Sequence, residues 1–441
     1  VTAAEVEEAA RSALGQVDPA LGALAAPPFE EALDYERAGP LAGVPFLIKD
    51  SGPFARGIAF AIGSRAVHGA VATVDHPLMA RFRAAGLAAL GRSAVPELCL
   101  NFATESVLGG VTHNPWSPGR GAGGSSGGAA ALVAAGAVPI AHGNDGAGSL
   151  RIPAASCGLV GLKPSRGRTP DAPSALPAGH PVGVEFALTR TVRDAAFLLD
   201  TVASPVDGRL PSFAAATATN PQRLRVAVMT AAWSGVPVDA QLALAASEVG
   251  SELEWIGHSV EAAGPTIDPD DIVESEMLGI VGAGRAMLQA PRRPASALLE
   301  AVSRTVVRET EAFGDDAFAA SVAAQARLTR RVDAFFAHHD LLVTPTLAQQ
   351  PPPHGTLDYD DERYSARGWL RRIFEHGPFT AVFNATGHPA MSLPLGESRE
   401  GLPIGVQLVA AAGREDLLFA VAAQLEQAMP WSGRRPSIFV D

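Results

Sequence analysis

The sequence predicts an α/β fold. Three observations predict it. Short apolar runs with strand character recur along the chain, and stretches with helical spacing of apolar residues lie between them. The 45 glycines and 35 prolines are scattered over the joints and form no low-complexity tract.

Residues 3 to 14 read as a helix, with Val6, Ala10 and Leu14 on one face. Val44 to Ile48 is a short apolar strand that ends in Lys49-Asp50. His76 to Gly86 is a helix with Leu78, Met79 and Phe82 inward, and Leu87 to Leu90 is a strand. From Thr112 to Gly128 the chain is dense in loop formers. Ala129 to Ala135 is helical, Val138 to Ala141 is a strand, and Ser149 to Ala155 opens a helix or turn. The stretch 189 to 204 reads as a helix, and Leu224 to Met229 as a buried strand. Residues 239 to 335 are mostly helical by period. Leu341 to Thr344 is a strand followed by the proline-rich run 345 to 353. The charged segment 358 to 367 reads as an exposed loop. Strands at 389 to 395 and 403 to 410 precede a last helix, 414 to 428.

The chain of 441 residues is 47% hydrophobic and 18% charged, a globular composition. Its length allows two or three domains, but it contains no fixed-period repeat and no linker polar enough to force a boundary. A net charge of -12 and a pI near 5.4 argue against a phosphate-backbone binder, so no nucleic-acid partner is expected. The two cysteines, Cys99 and Cys157, form neither a CxxC pair nor a disulfide framework, which fits a reducing cytoplasm. The acidic N-terminus is not a secretory signal, and no apolar run is long enough to cross a membrane. The chain starts at Val1 rather than Met, which leaves residues before it open.

The densest chemical signal is Gly123-Gly124-Ser125-Ser126-Gly127-Gly128, followed by Gly143-Asn144-Asp145-Gly146-Ala147-Gly148-Ser149-Leu150-Arg151. Glycines let backbone N–H groups approach a ligand closely. One such loop alone reads as a turn with serine helix caps. Two, with serines 24 residues apart and a strand between them, point to catalysis. A P-loop is excluded because no lysine follows the glycines, and the dinucleotide fingerprint spacing is missing. Residues 124 to 128 fit G-x-S-x-G with Ser126 central, but the proline-rich lead-in from Asn114 to Gly119 cannot be the strand that a nucleophile elbow requires. Lys49, at the end of an apolar strand, is expected to be partly buried. Burial would lower its pKa and suit it to act as a general base; pairing with Asp50 is the plain alternative.

These stretches, in this order, resemble the amidase signature family, which carries a strand ending in Lys-Asp, then G-G-S-S-G-G-[SA], then D-x-G-G-S-[IV]-R-x-P-A. The segments Cys157 to Pro164, Thr344-Pro345-Thr346, Asn384 to Pro389 and Gly401 to Gln407 match as well. The resemblance implies a single α/β/α domain over residues 1 to 441 around a large mixed sheet. It places the catalytic lysine on Lys49, the bridging serine on Ser125 and the nucleophile on Ser149. The oxyanion hole falls on the backbone of Gly146, Ala147, Gly148 and Ser149, with Ser126, Asp145 and Arg151 in support. It implies no metal and no cofactor, a small-molecule amide substrate, and a homodimer. Ala147 stands where glycine is common and Asn144 where threonine is; neither change removes a catalytic group. The stretches G-N-D-x-A-G-S and G-x-P-I-G-V-Q are similar to those of 6-aminohexanoate cyclic-dimer hydrolases. The alternatives are the glutaminase-type subunit of a tRNA-dependent amidotransferase, an elbow-type esterase, and a catalytically silent binding protein.

Overall fold

A computed structural model of the chain describes residues 2–170, 182–290 and 293–440. Ten strands of the described residues form one mixed sheet: β1 (Pro45–Lys49), β2 (Ala88–Ser93), β3 (Ile140–Asp145), β4 (Val160–Lys163), β5 (Val184–Thr189), β6 (Arg225–Val228), β7 (Ser259–Ala262), β8 (Leu341–Pro345), β9 (Ala390–Glu397) and β10 (Pro403–Ala410). Their spatial order is β7-β6-β8-β10-β9-β4-β5-β3-β1-β2. Each end of the sheet is a parallel trio, β7-β6-β8 and β3-β1-β2, and the strands between run antiparallel to their neighbours.

Thirteen helices accompany the sheet among the described residues: α1 (Ala3–Leu21), α2 (Pro77–Ala85), α3 (Gly127–Ala134), α4 (Arg151–Cys157), α5 (Val192–Val202), α6 (Phe213–Ala216), α7 (Ala240–Trp255), α8 (Pro269–Leu288), α9 (Ala301–Glu311), α10 (Asp315–Phe336), α11 (Ala366–His376), α12 (Ala381–Thr386) and α13 (Glu415–Ala428). Every residue of α3 and α4 is buried, which is why neither shows an apolar stripe in the sequence. The two follow the two serine loops directly.

The first helix runs seven residues beyond its expected end at residue 14. Ala10, Leu14, Val17 and Leu21 continue one buried face, a reciprocal Thr2/Glu5 capping box starts it, and Gly22 in the left-handed region stops it. The stretch read as a helix from 189 holds two elements. Thr189 ends β5, and α5 begins at Val192, where the Thr191 hydroxyl accepts from the Asp194 amide. Two sheet strands, β4 and β5, were not expected, and β7 interrupts the stretch 239 to 335; residues 291 and 292 of that stretch lie outside the described residues. The charged loop ends at Ser365, which caps α11, and inside the loop Tyr359 is buried.

Strand β1 is buried along its whole length because parallel neighbours flank it on both sides. The register pairs Phe46 with Ile140 and Leu47 with Ala141, and carried on it sets Lys49 at the end of β1 beside Gly143, next to Asn144 and Asp145 at the end of β3. Ligand sites of such sheets form beyond the carboxyl ends of parallel strands.

Candidate active site

Lys49 is 1% exposed. Its Nζ lies 2.7 Å from Ser125 Oγ and donates to Asn144 Oδ1 at 2.5 Å. Burial pulls its pKa below the ordinary lysine value, against the smaller opposing pull of Cys99, Glu185 and Asp145. Asp50 does not pair with it. That carboxylate turns the other way, to Arg92 and to the backbone amides of Ala61 and Gly63.

The two glycine loops meet over β3. A Cβ at Gly143 would stand 2.9 Å from Ser126 Oγ and 2.6 Å from Leu150, so this approach requires glycine. Ser125 and Ser149 both line one cavity of about 350 Å³. Ser126 does not line it: its hydroxyl donates to the Asn144 carbonyl at 3.3 Å, at the start of α3. No sheet strand leads into Ser126, so the elbow geometry is missing.

The backbone amides of Gly146, Ala147, Gly148 and Ser149 have no protein acceptor among the described residues, while the next two, of Leu150 and Arg151, donate to Asp145 Oδ2. Gly148 has φ +141°, and a Cβ there would stand 2.5 Å from Thr380 Oγ1. That hydroxyl donates to the Ala147 carbonyl at 2.6 Å and fixes the loop from outside.

Asp145 and Arg151 form a fully buried, two-pronged ion pair, with Nη2–Oδ1 and Nε–Oδ2 both at 2.9 Å. Arg151 also donates to Gln407 Oε1, Asn384 Oδ1 and the Thr380 carbonyl. Asn384 returns hydrogen bonds to the Asp145 carbonyl and carboxylate, and Gln407 donates to Thr344 Oγ1. The late segments around Thr344, Asn384 and Gln407 therefore converge on the pair that clamps the 146–150 loop. Burial alone would raise the Asp145 pKa, but the Arg151 guanidinium and the Asn384 amide bring it down to about 2.

The family model described as Amidase matches residues 12–419. The chain belongs to the Amidase family. It is 38% identical to a 6-aminohexanoate-cyclic-dimer hydrolase of Pseudomonas sp. (strain NK87), over 99% of this chain and 94% of that protein. The solved structure of a 6-aminohexanoate cyclic dimer hydrolase complexed with substrate superimposes with a TM-score of 0.92 at 36% identity, covering 100% of this chain and 96% of that one. A glutamyl-tRNA(Gln) amidotransferase chain of Thermotoga maritima shares the fold at 23% identity, with a TM-score of 0.76 over 99% of this chain and 94% of that one.

The amidase cavity also contains residues that no sequence pattern marked. Ser51 and Glu185 line it beside Asn144, whose amide donates to Ser51 Oγ at 3.1 Å and reaches Glu185 Oε1 at 3.5 Å. His142 Nε2 approaches Glu185 Oε2 to 2.6 Å, off the axis of a straight hydrogen bond, and burial pushes that imidazole towards its neutral form. Helix α8 contributes Glu276, Gly279, Ile280 and Ala283, and α11 contributes Leu370 and Ile373. Ile62, Leu98 and Cys99 line the cavity with φ of 51°, 51° and 59°. Positive φ in non-glycine residues is strained and concentrates at functional sites, so these three would have been found from backbone geometry but not from sequence.

Proposed function

We propose that this amidase cleaves small linear or cyclic amides through an acyl-enzyme on Ser149, with Ser125 as proton bridge and Lys49 as base. The observation that carries this reading is the buried Lys49 amine, 2.7 Å from a serine that shares its cavity with a second serine. In the neutral amine one N–H donates to Asn144 Oδ1, which leaves the lone pair for the Ser125 hydroxyl. Ser149 Oγ attacks the amide carbonyl carbon. Its proton passes to Ser125, and the proton of Ser125 passes to Lys49. The oxyanion forms against the unoccupied N–H groups of residues 146 to 149, donors already fixed in place. The proton then returns through Ser125 to the leaving nitrogen, the C–N bond breaks, and the amine departs. Water, activated by the same route, attacks the acyl ester and releases the acid.

For substrate class, the relatives named as 6-aminohexanoate cyclic-dimer hydrolases favour an amide of an ω-amino acid. The volume falls in the range of small-molecule sites. The glutaminase-type reading rests on a shared fold alone. Cyclic and linear ω-amino acid amides are expected to show higher kcat/KM than glutamine in a hydrolysis screen that also holds aryl and peptide-terminal amides. Efficient, partner-dependent release of ammonia from glutamine would reverse that order.

A fluorophosphonate probe is expected to label Ser149 and to abolish amide turnover. Tryptic mapping by mass spectrometry locates the adduct. An adduct on Ser126 would return the chain to the elbow-type esterase reading.

A further inference from the structure

Glu276 stands on α8 at the wall of the cavity that holds Ser125 and Ser149, and it is 3% exposed. Its carboxyl makes no hydrogen bond to any described residue, and Oε1 is closed off from solvent without a partner. A buried oxygen in that state costs stability, so its retention calls for a use. The cavity's other carboxylate, Glu185, is already engaged by Asn144 and His142. One helical turn beyond Glu276 is Gly279. A Cβ there would crowd Val182 at 2.9 Å and stand in ordinary contact with Glu276 Oε2 at 3.9 Å, and both residues line the cavity.

Burial, with the nearby Asp145 carboxylate, holds the Glu276 carboxyl well above the usual carboxylate range, against the weaker opposing pull of Arg151, Arg166 and Lys163. The carboxylic acid form is thereby favoured over the carboxylate. It offers one O–H donor and one carbonyl acceptor, the complement of the carbonyl and N–H of an amide. In that form it presents no fixed negative charge to an ammonium group.

We propose that Glu276 recognises a second, uncharged amide group of the substrate, so that this enzyme selects diamides over monoamides of the same length. The proposal rests on the reading of this cavity as the site of amide cleavage. It is tested with two substrates of matched length, a diamide and a monoamide in which the second amide is replaced by –CH2CH2–. Glu276→Leu is expected to raise KM for the diamide about tenfold, the loss of a neutral hydrogen-bonded pair, and to leave the monoamide within about twofold. Glu276→Gln keeps a donor and an acceptor without charge and is expected to retain the preference for the diamide. Equal losses on both substrates in Glu276→Leu would overturn the proposal in favour of a packing role. So would a Glu276→Gln enzyme as poor as Glu276→Leu, with its largest loss on a substrate bearing a free ammonium. Calorimetric Kd values for both compounds, measured in a Ser149→Ala background, separate recognition from chemistry. If Ser149→Ala still turns over amides, the nucleophile assignment fails, and the ratio of the two Kd values still decides the role of Glu276. Thermal melts of the Leu and Gln variants control for folding.

Discussion

Lys49→Ala is expected to lower amide kcat/KM by roughly 10³-fold or more while the far-ultraviolet circular dichroism stays that of the wild type. Lys49 supplies the base within reach of Ser125 in the proposed relay, and groups that act as one unit lose most of their joint effect when one is removed. Lys49→Met, which keeps the buried volume, is expected to lose as much and shows that the amine matters rather than the packing. Lys49→Arg is not expected to restore activity, because a guanidinium stays charged and accepts no proton. The loss should be larger for an amide than for its matching activated ester, since the amide nitrogen must be protonated to leave and an activated alcohol need not be. The pH profile follows from the direction of the shift. Burial lowers the Lys49 pKa, so the neutral amine persists to lower pH than in an ordinary lysine. Wild-type kcat/KM should then fall as pH drops through that lowered pKa, and the acid limb should vanish from the residual activity of Lys49→Met. A folded Lys49→Ala enzyme with near-wild-type amide turnover would end the assignment of Lys49 as base.

The parts of the site legible in the sequence are those built from local pattern. The strand leading into Lys49 and the glycine loops around Ser125 and Ser149 are contiguous, and their glycines mark where backbone must come close. Asp145 and Arg151 were expected to support the loop, whereas Thr344, Asn384 and Gln407, which hold that pair, were seen only as family motifs without a physical role. Arg151 meets Thr380 229 residues away and Gln407 256 residues away, a convergence that no local window contains. Glu185 and Glu276 were missed for a different reason. A carboxylate in a strand or on a helix reads as solvent-facing, and only burial makes it notable. The fold shows the same division. Class and most elements followed from periodicity, whereas β4 and β5 were passed over because both are buried throughout, with the charged residues Lys163 and Glu185 inside them. Lys163 finds a partner in the Pro164 carbonyl, and Glu185 in Asn144 and His142. A buried polar residue with a partner is compatible with a central strand, and the partner is what the sequence does not print.

Arg151→Leu is expected to destabilise the protein by about 3–5 kcal/mol and to reduce amide turnover in whatever fraction remains folded. The cost comes less from the attraction lost than from what stays behind: a carboxylate at Asp145 with no exposure and no paired guanidinium, left with only the weaker pull of Lys163. Asp145 would still accept from the amides of Leu150, residue 151 and Asn384, but those neutral donors do not replace a guanidinium. Replacing both partners, Asp145→Leu with Arg151→Leu, is therefore expected to cost less than the sum of the two single changes, because no charge is left buried alone. The wild type should carry the signature of the pair in its acid stability. Asp145 is depressed to about 2 in the folded state, below the roughly 3.9 of an unfolded aspartate. A depressed carboxylate adds stability that is present above the unfolded pKa and is lost as pH falls through the folded one, here about 2 kcal/mol disappearing between about pH 4 and pH 2. Asp145→Asn should flatten that part of the curve. Denaturant midpoints at pH 7 and through the acid range, for the wild type, both single variants and the double variant, measure all of this. Kinetics adds the link to function. Because Asp145 also holds the amides of residues 150 and 151, its loss should tilt the 146–149 donors away from the oxyanion and lower kcat more than it raises KM. Single variants that melt like the wild type and keep its kcat would remove the ion pair from the account of how the loop is held.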